Sequence, residues 1–143
     1  MDLTPDFPVV EAEYQMTRDW AITVPAPMNR RFEEKQLVLW RPGLTAWIAV
    51  WGDGKFDSAQ DRLKWIKETA SKDAYDRQES SRQQVTYYSY RLAEPAEDRR
   101  VPALYCFAVG STSHVQLAVY FDREQDLPKA ESLCRGPHET HKP

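Results

Sequence analysis

The sequence predicts an α+β fold: an antiparallel sheet of about six or seven strands, layered with two helices. Period-two alternation of apolar residues recurs in short segments along the chain. Two of these segments meet at Pro42-Gly43 inside the stretch LVLWRPGLTAWIAVW, residues 37 to 51. Helical spacing of apolar residues appears only after Trp51 and near the C-terminal end. The turns between consecutive strands are short, which implies antiparallel pairing.

Residues 9 to 16 alternate, with Val10, Ala12, Tyr14 and Met16 on one side and Glu11, Glu13 and Gln15 on the other. That is one half-buried strand. Thr17-Arg18-Asp19 turns the chain. Trp20, Ile22 and Val24 mark a second strand, which Pro25 and Pro27 end. Residues 26 to 35 read as a polar connection. Residues 37 to 40 and 44 to 51 then pair as a hairpin, Pro42 supplying a fixed φ and Gly43 a positive one. In its second arm Leu44, Ala46, Ile48 and Val50 share one face, and Thr45, Trp47, Ala49 and Trp51 the other. Both faces are apolar, so the strand is either covered twice or displays an aromatic patch.

Residues 57 to about 74 form the clearest helix. Ser58 and Asp61 resemble a capping box, and Ala59, Leu63, Ile66, Ala70 and Ala74 make the apolar stripe. Three strands follow, at 82 to 92, 101 to 109 and 113 to 121. The segment 101 to 109 is apolar on both faces and suits the interior of a sheet. Residues 93 to 100 are a charged hairpin loop. A last helix begins near Asp126, with Pro128 in its first turn and Leu127, Ala130 and Cys134 as its stripe. Gly136-Pro137 ends it. One domain over residues 1 to 135 and a flexible tail over 136 to 143 follow from this order.

Net charge is -3 and no Lys/Arg stripe forms, so nucleic acid is not an expected partner. No apolar run approaches the roughly 20 residues that span a bilayer. No basic start leads into an apolar stretch, so no secretion signal is expected. Cys106 and Cys134 show no CxxC spacing and read as small buried hydrophobes, which makes the cytoplasm the default location. No metal or cofactor is expected.

The order of strands, helix, three strands and helix, with its Trp40-Arg41-Pro42-Gly43 hairpin turn and a C-terminal helix after a long strand, resembles the PsbP-like fold family. The resemblance covers roughly residues 10 to 135. The family includes plant photosystem subunits, Ran-binding proteins and many small bacterial proteins. It implies a scaffold used more often for protein binding than for catalysis. No functional residue of the family is matched position by position.

Trp65 stands apart from the helix stripe. It points about 200° away from Leu63, among Asp61, Glu68, Thr69 and Lys72. Either the N-terminal segment with Phe7 and Val9 or a loop folds over it, or a partner does, since Trp is enriched at binding hot spots, or it stays partly exposed. Trp40, Trp47 and Trp51 are either core or the wall of a groove. His114, Tyr88 and Tyr90, together with Trp47, are the candidate lining of a ligand pocket between the sheet and its cover. Ser111 to His114 lacks a strand-to-helix elbow, and Gly52-Asp53-Gly54-Lys55 lacks the phosphate-loop spacing. Asp53, Asp57 and Asp61 favour the N-terminus of the helix. His138 and His141 lie in the tail.

The first expectation is a non-enzymatic domain of bacterial type that binds another protein through Trp65, Trp51 and Trp47, for example as an immunity or chaperone-like partner. The alternative is a small-ligand domain using the His114, Tyr88 and Tyr90 pocket. Homo-oligomerisation stays open.

Overall fold

The structure is a computed structural model that describes residues 3–52, 56–94 and 101–140. Its elements run β1 (Val9–Val10), β2 (Glu13–Gln15), β3 (Trp20–Thr23), β4 (Met28–Glu33), β5 (Gln36–Arg41) and β6 (Leu44–Trp51). Helix α1 (Ala59–Thr69) precedes β7 (Tyr75–Arg82), β8 (Val85–Leu92), β9 (Ala103–Val109) and β10 (His114–Phe121). Helix α2 (Leu127–Cys134) and β11 (Pro137–Glu139) are the last helix and strand among the described residues. Eight strands form one antiparallel sheet in the order β1-β4-β5-β6-β10-β9-β8-β7, and β11-β3-β2 form a second.

The apolar alternation decides which face of the large sheet is core. Leu37, Leu39, Ala46, Ile48, Leu117 and Val119 pack with Trp20 and Ile22 of the small sheet and with Ala130 and Leu133 of α2. Trp20 is fully buried, and its indole N–H donates to Ser113 Oγ at 2.7 Å. On the opposite face Ile66 of α1 joins Tyr88, Tyr90, Phe107 and Val109 in a separate cluster. So the molecule is layered, and β6 occupies an interior place in its sheet, between β5 and β10.

The local chemistry of the main elements matches the pattern. Gly43 has φ 79°, and Arg41 pairs with Leu44 across the Pro42-Gly43 turn. Ser58 caps α1, its Oγ accepting from the Asp61 N–H at 3.1 Å. Strands β9 and β10 fall within a residue or two of where the alternation puts them, whereas the strand expected from residue 82 begins as β8 at Val85, because Arg82 ends β7 and Gln83-Gln84 form the turn between them at positive φ.

Several expectations are corrected. Among the described residues there are eleven strands rather than six or seven. The connection at 26 to 35 contains β4, whose Arg30 and Arg31 lie over the rings of Tyr14 and Trp40 at 5.2 and 4.7 Å. Arginine guanidiniums lie on aromatic rings there, so the residues look like loop in a hydropathy pattern. Strand β7 is exposed along its whole length and therefore carries no alternation. The strand expected over 9 to 16 is two short ones, each in a different sheet, separated by Ala12 at φ 60°. Helix α1 ends at Thr69 instead of near residue 74.

The tail is also ordered in part. Pro137, His138 and Glu139 pair with Ile22, Ala21 and Trp20 as β11, so the chain is not a loose end from residue 136. His141 lies outside the described residues, as do Asp53, Gly54, Lys55 and residues 95 to 100 of the charged loop. Cys106 and Cys134 are joined in a disulfide with Cα atoms 5.6 Å apart, rather than standing as two free thiols.

Candidate functional site

The outer face of β6 is where the sheet is left incomplete. Trp47 pairs across to Val38 on β5 and Ala118 on β10. Ala49 stands opposite Gln116, and Trp51 opposite His114. Helix α1 rests on β8 and β9, two strands further along, and leaves this part of the face open. The result is a groove of about 430 Å³ floored by Trp47, Ala49, Ala118 and Gln116, with Trp51 at one end. Its far wall is the Glu34-Lys35 turn between β4 and β5. Both residues of that turn have positive φ, 49° and 69°, the pattern of a two-residue hairpin whose twist matches its strands.

The three tryptophans of the hairpin differ in environment. Trp40 is half-buried: Phe7 meets it edge-on at 5.0 Å, and its indole N–H donates to Thr4 Oγ1. Trp47 is also half-buried, with the Arg31 guanidinium 5.7 Å from its ring and Glu33 holding that arginine at 3.0 Å. Trp51 is 48% exposed. The N-terminal segment thus covers Trp40 rather than Trp65. Trp65 is itself 48% exposed on the outer side of α1, with the Phe56 ring against it at 5.5 Å. It does not line the groove.

Arg62 forms the seam between the covered and open parts. It is 2% exposed, although it carries a full charge. It donates to His114 Nδ1 at 2.9 Å and to the Thr112 carbonyl at 3.1 Å, and its guanidinium lies 4.7 Å from the Phe56 ring. A guanidinium only donates, so Nδ1 of His114 is an acceptor and the ring proton sits on Nε2. A chain of contacts therefore runs from the Trp51–His114 pair through Arg62 and Phe56 to Trp65.

The ligand-pocket set divides between three places. Trp47 is in the groove. Tyr88 and Tyr90 are buried in the cluster that α1 covers, and the Tyr88 hydroxyl accepts from Arg77 at 2.6 Å. His114 is 3% exposed and bound to Arg62, which gives it a structural task. Beside this cluster the Tyr105 hydroxyl donates to Glu94 at 2.9 Å and lies 3.4 Å from the Tyr120 hydroxyl. Burial, followed by these two hydrogen bonds, holds the Tyr105 phenol above its ordinary range; burial and then Tyr88 do the same for Tyr90.

The sequence reading missed Arg62 and the groove's polar edge, Gln36, Glu34 and Lys35. For Arg62 a signal existed: it sits three residues after Ala59 and four before Ile66, on the apolar stripe itself. Among the described residues no three His, Cys, Asp or Glu side chains converge as a metal-binding group. No protein-family model matches the chain, and no curated protein matches it.

Proposed function

We propose that this protein is a non-enzymatic binding domain that receives another protein on the Trp47–Trp51 groove, with Trp65 as a second contact. The observation that carries this reading is the half-covered sheet face. Two large indoles remain about half in water on either side of the Arg62 seam. Leaving that much apolar surface wet is unfavourable by roughly 25 cal/mol per Å². A largely apolar floor of Trp47, Ala49, Ala118 and Gln116 edged by Glu34, Lys35 and Gln36 has the composition of a protein contact, with an apolar centre and a polar rim. A PsbP-like scaffold serving as an immunity or chaperone-like partner is the concrete form of the proposal.

The test is a pull-down with the wild-type chain beside Trp51→Ala and Trp65→Ala. A protein retained by the wild type and lost by Trp51→Ala supports the reading. An identical set of captured proteins with all three baits sinks it.

The groove's size favours one second reading. Its volume of about 430 Å³ lies within the range of small-molecule sites, and the Gln36 and Gln116 amides offer donors and acceptors beside the indoles. A small molecule that saturably changes tryptophan emission, with the change lost in Trp47→Phe, would favour this reading over the first. As to location, no helix among the described residues is long and apolar enough to cross a membrane. The cytoplasm, the default for two unpaired cysteines, is a poorer match now that the cysteines are joined.

A further inference from the structure

We infer that the Cys106–Cys134 disulfide is a covalent clasp on the C-terminal cover of the core, and that the protein works in an oxidising compartment outside the cytosol. These are the only two cysteines in the chain. One lies in the middle of β9 and the other is the last residue of α2. Their Cα atoms are 5.6 Å apart, near the middle of the range that a disulfide spans. Both are almost wholly buried, at 2% and 5% exposure. Thiol exchange needs access to a sulfur, so a bond at this depth is shielded from small thiols.

The clasp holds more than a helix. Ala130 and Leu133 of α2 pack on the main core, and the chain passes directly from α2 into β11. Gly136 joins the two. A Cβ there would lie 2.2 Å from the Thr23 carbonyl oxygen, so the segment is seated against β3 too closely for any side chain. The Thr23 N–H donates to the Gly136 carbonyl at 3.0 Å, and the Tyr87 hydroxyl donates to the Pro137 carbonyl at 2.6 Å. Strand β11 in turn flanks β3, which carries Trp20 and Ile22 into the core. Fixing Cys134 therefore secures α2, β11 and the edge of the second sheet together. Cytosolic thiol pools keep such pairs reduced, whereas exported proteins retain them.

Opening the clasp is a two-electron step. A dithiol reductant gives up two electrons and two protons and closes its own disulfide; the Cys106–Cys134 bond breaks, leaving two thiols. Cells that carry this chain naturally would be quenched in acid, the protein denatured, and its thiols counted by mass after maleimide labelling. The expected count is zero before dithiol treatment and two after it. Two thiols before reduction would overturn the assignment of compartment.

A second measurement addresses the clasp itself. Amide exchange is compared between the oxidised protein, protein reduced with a dithiol under denaturing conditions and refolded in its presence, and a Cys106→Ala/Cys134→Ala variant. Exchange over residues 127 to 139 should accelerate about tenfold or more on loss of the bond, while β5 and β6 stay unchanged. Equal exchange in the oxidised and reduced forms would overturn the clasp.

Discussion

Beneath α1, Tyr88, Tyr90, Phe107 and Val109 are buried against Ile66, whereas two strands away, on the same face of the same sheet, Trp47 and Trp51 border an open groove. The side chains are of one kind in both places: large and aromatic. Strand pairing continues across the boundary without a break, since Ala118 on β10 stands between Trp47 and Tyr105 in register. What separates the halves is a single helix, docked where Ile66 and Arg62 hold it. Aromatic content on a strand therefore does not predict burial; the placement of the covering element does.

The comparison breaks first on stability. Phe107→Ala, in the covered half, should cost about 3–5 kcal/mol in a urea melt, because it opens a cavity under α1. Trp51→Ala, in the open half, should cost less than about 1 kcal/mol, since half of its surface is already wet. Similar losses for the two variants would mean that the halves are not energetically distinct.

The seam gives the next largest effect. Arg62→Met keeps much of the apolar stem but removes the donors to His114 Nδ1 and the Thr112 carbonyl. A loss of about 2–3 kcal/mol is expected, with a change in Trp51 emission as the helix loosens. A variant as stable as the wild type would show that α1 is held by apolar packing alone.

Binding then sharpens the contrast from the other side. Once a partner is in hand, Trp51→Ala should weaken it by about 2 kcal/mol, roughly 30-fold, by titration calorimetry. Phe107 lies under α1 and does not line the groove, so Phe107→Leu should leave affinity unchanged at a temperature where the chain is folded. Loss of affinity in Phe107→Leu alone would move the site under α1.

The smallest effect is at alkaline pH and belongs to the covered half. Burial raises the folded-state pKa of Tyr90 and Tyr105 above the ordinary tyrosine value near 10. The neutral phenol is thus favoured on folding. This contribution is fully present below pH 10 and is lost as pH climbs past it. Melting temperature should fall above about pH 10, and less steeply in a Tyr90→Phe/Tyr105→Phe variant. Parallel pH curves for variant and wild type would count against these two residues as the cause.

Much of the architecture was legible because its determinants are local. Pro42-Gly43 set the hairpin, Ser58 set the start of α1, and period-two runs marked β6, β8, β9 and β10. Strands β4 and β7 were not legible, for opposite reasons. In β4 charged guanidiniums lie on aromatic rings where an apolar side chain would be expected, and in β7 no face is buried at all. The groove was legible only as an alternative: the two-sided pattern of β6 required either a cover or an exposed patch. Pairing of the cysteines was not legible, because 28 residues separate them and only the docking of α2 on β9 brings them together.

By itself, then, the sequence determined the long strands with an apolar face, the start of α1 and the Pro42-Gly43 turn. Those are consequences of backbone sterics and side-chain alternation within a few residues. The tertiary structure alone decided that α1 lies over β8 and β9 and not over β6, that the chain's end returns as β11, and that Trp51 and Trp65 remain outside. An amphipathic pattern states that a face needs burial; the element that supplies the burial comes from a distant part of the chain, and no local pattern encodes which one it is.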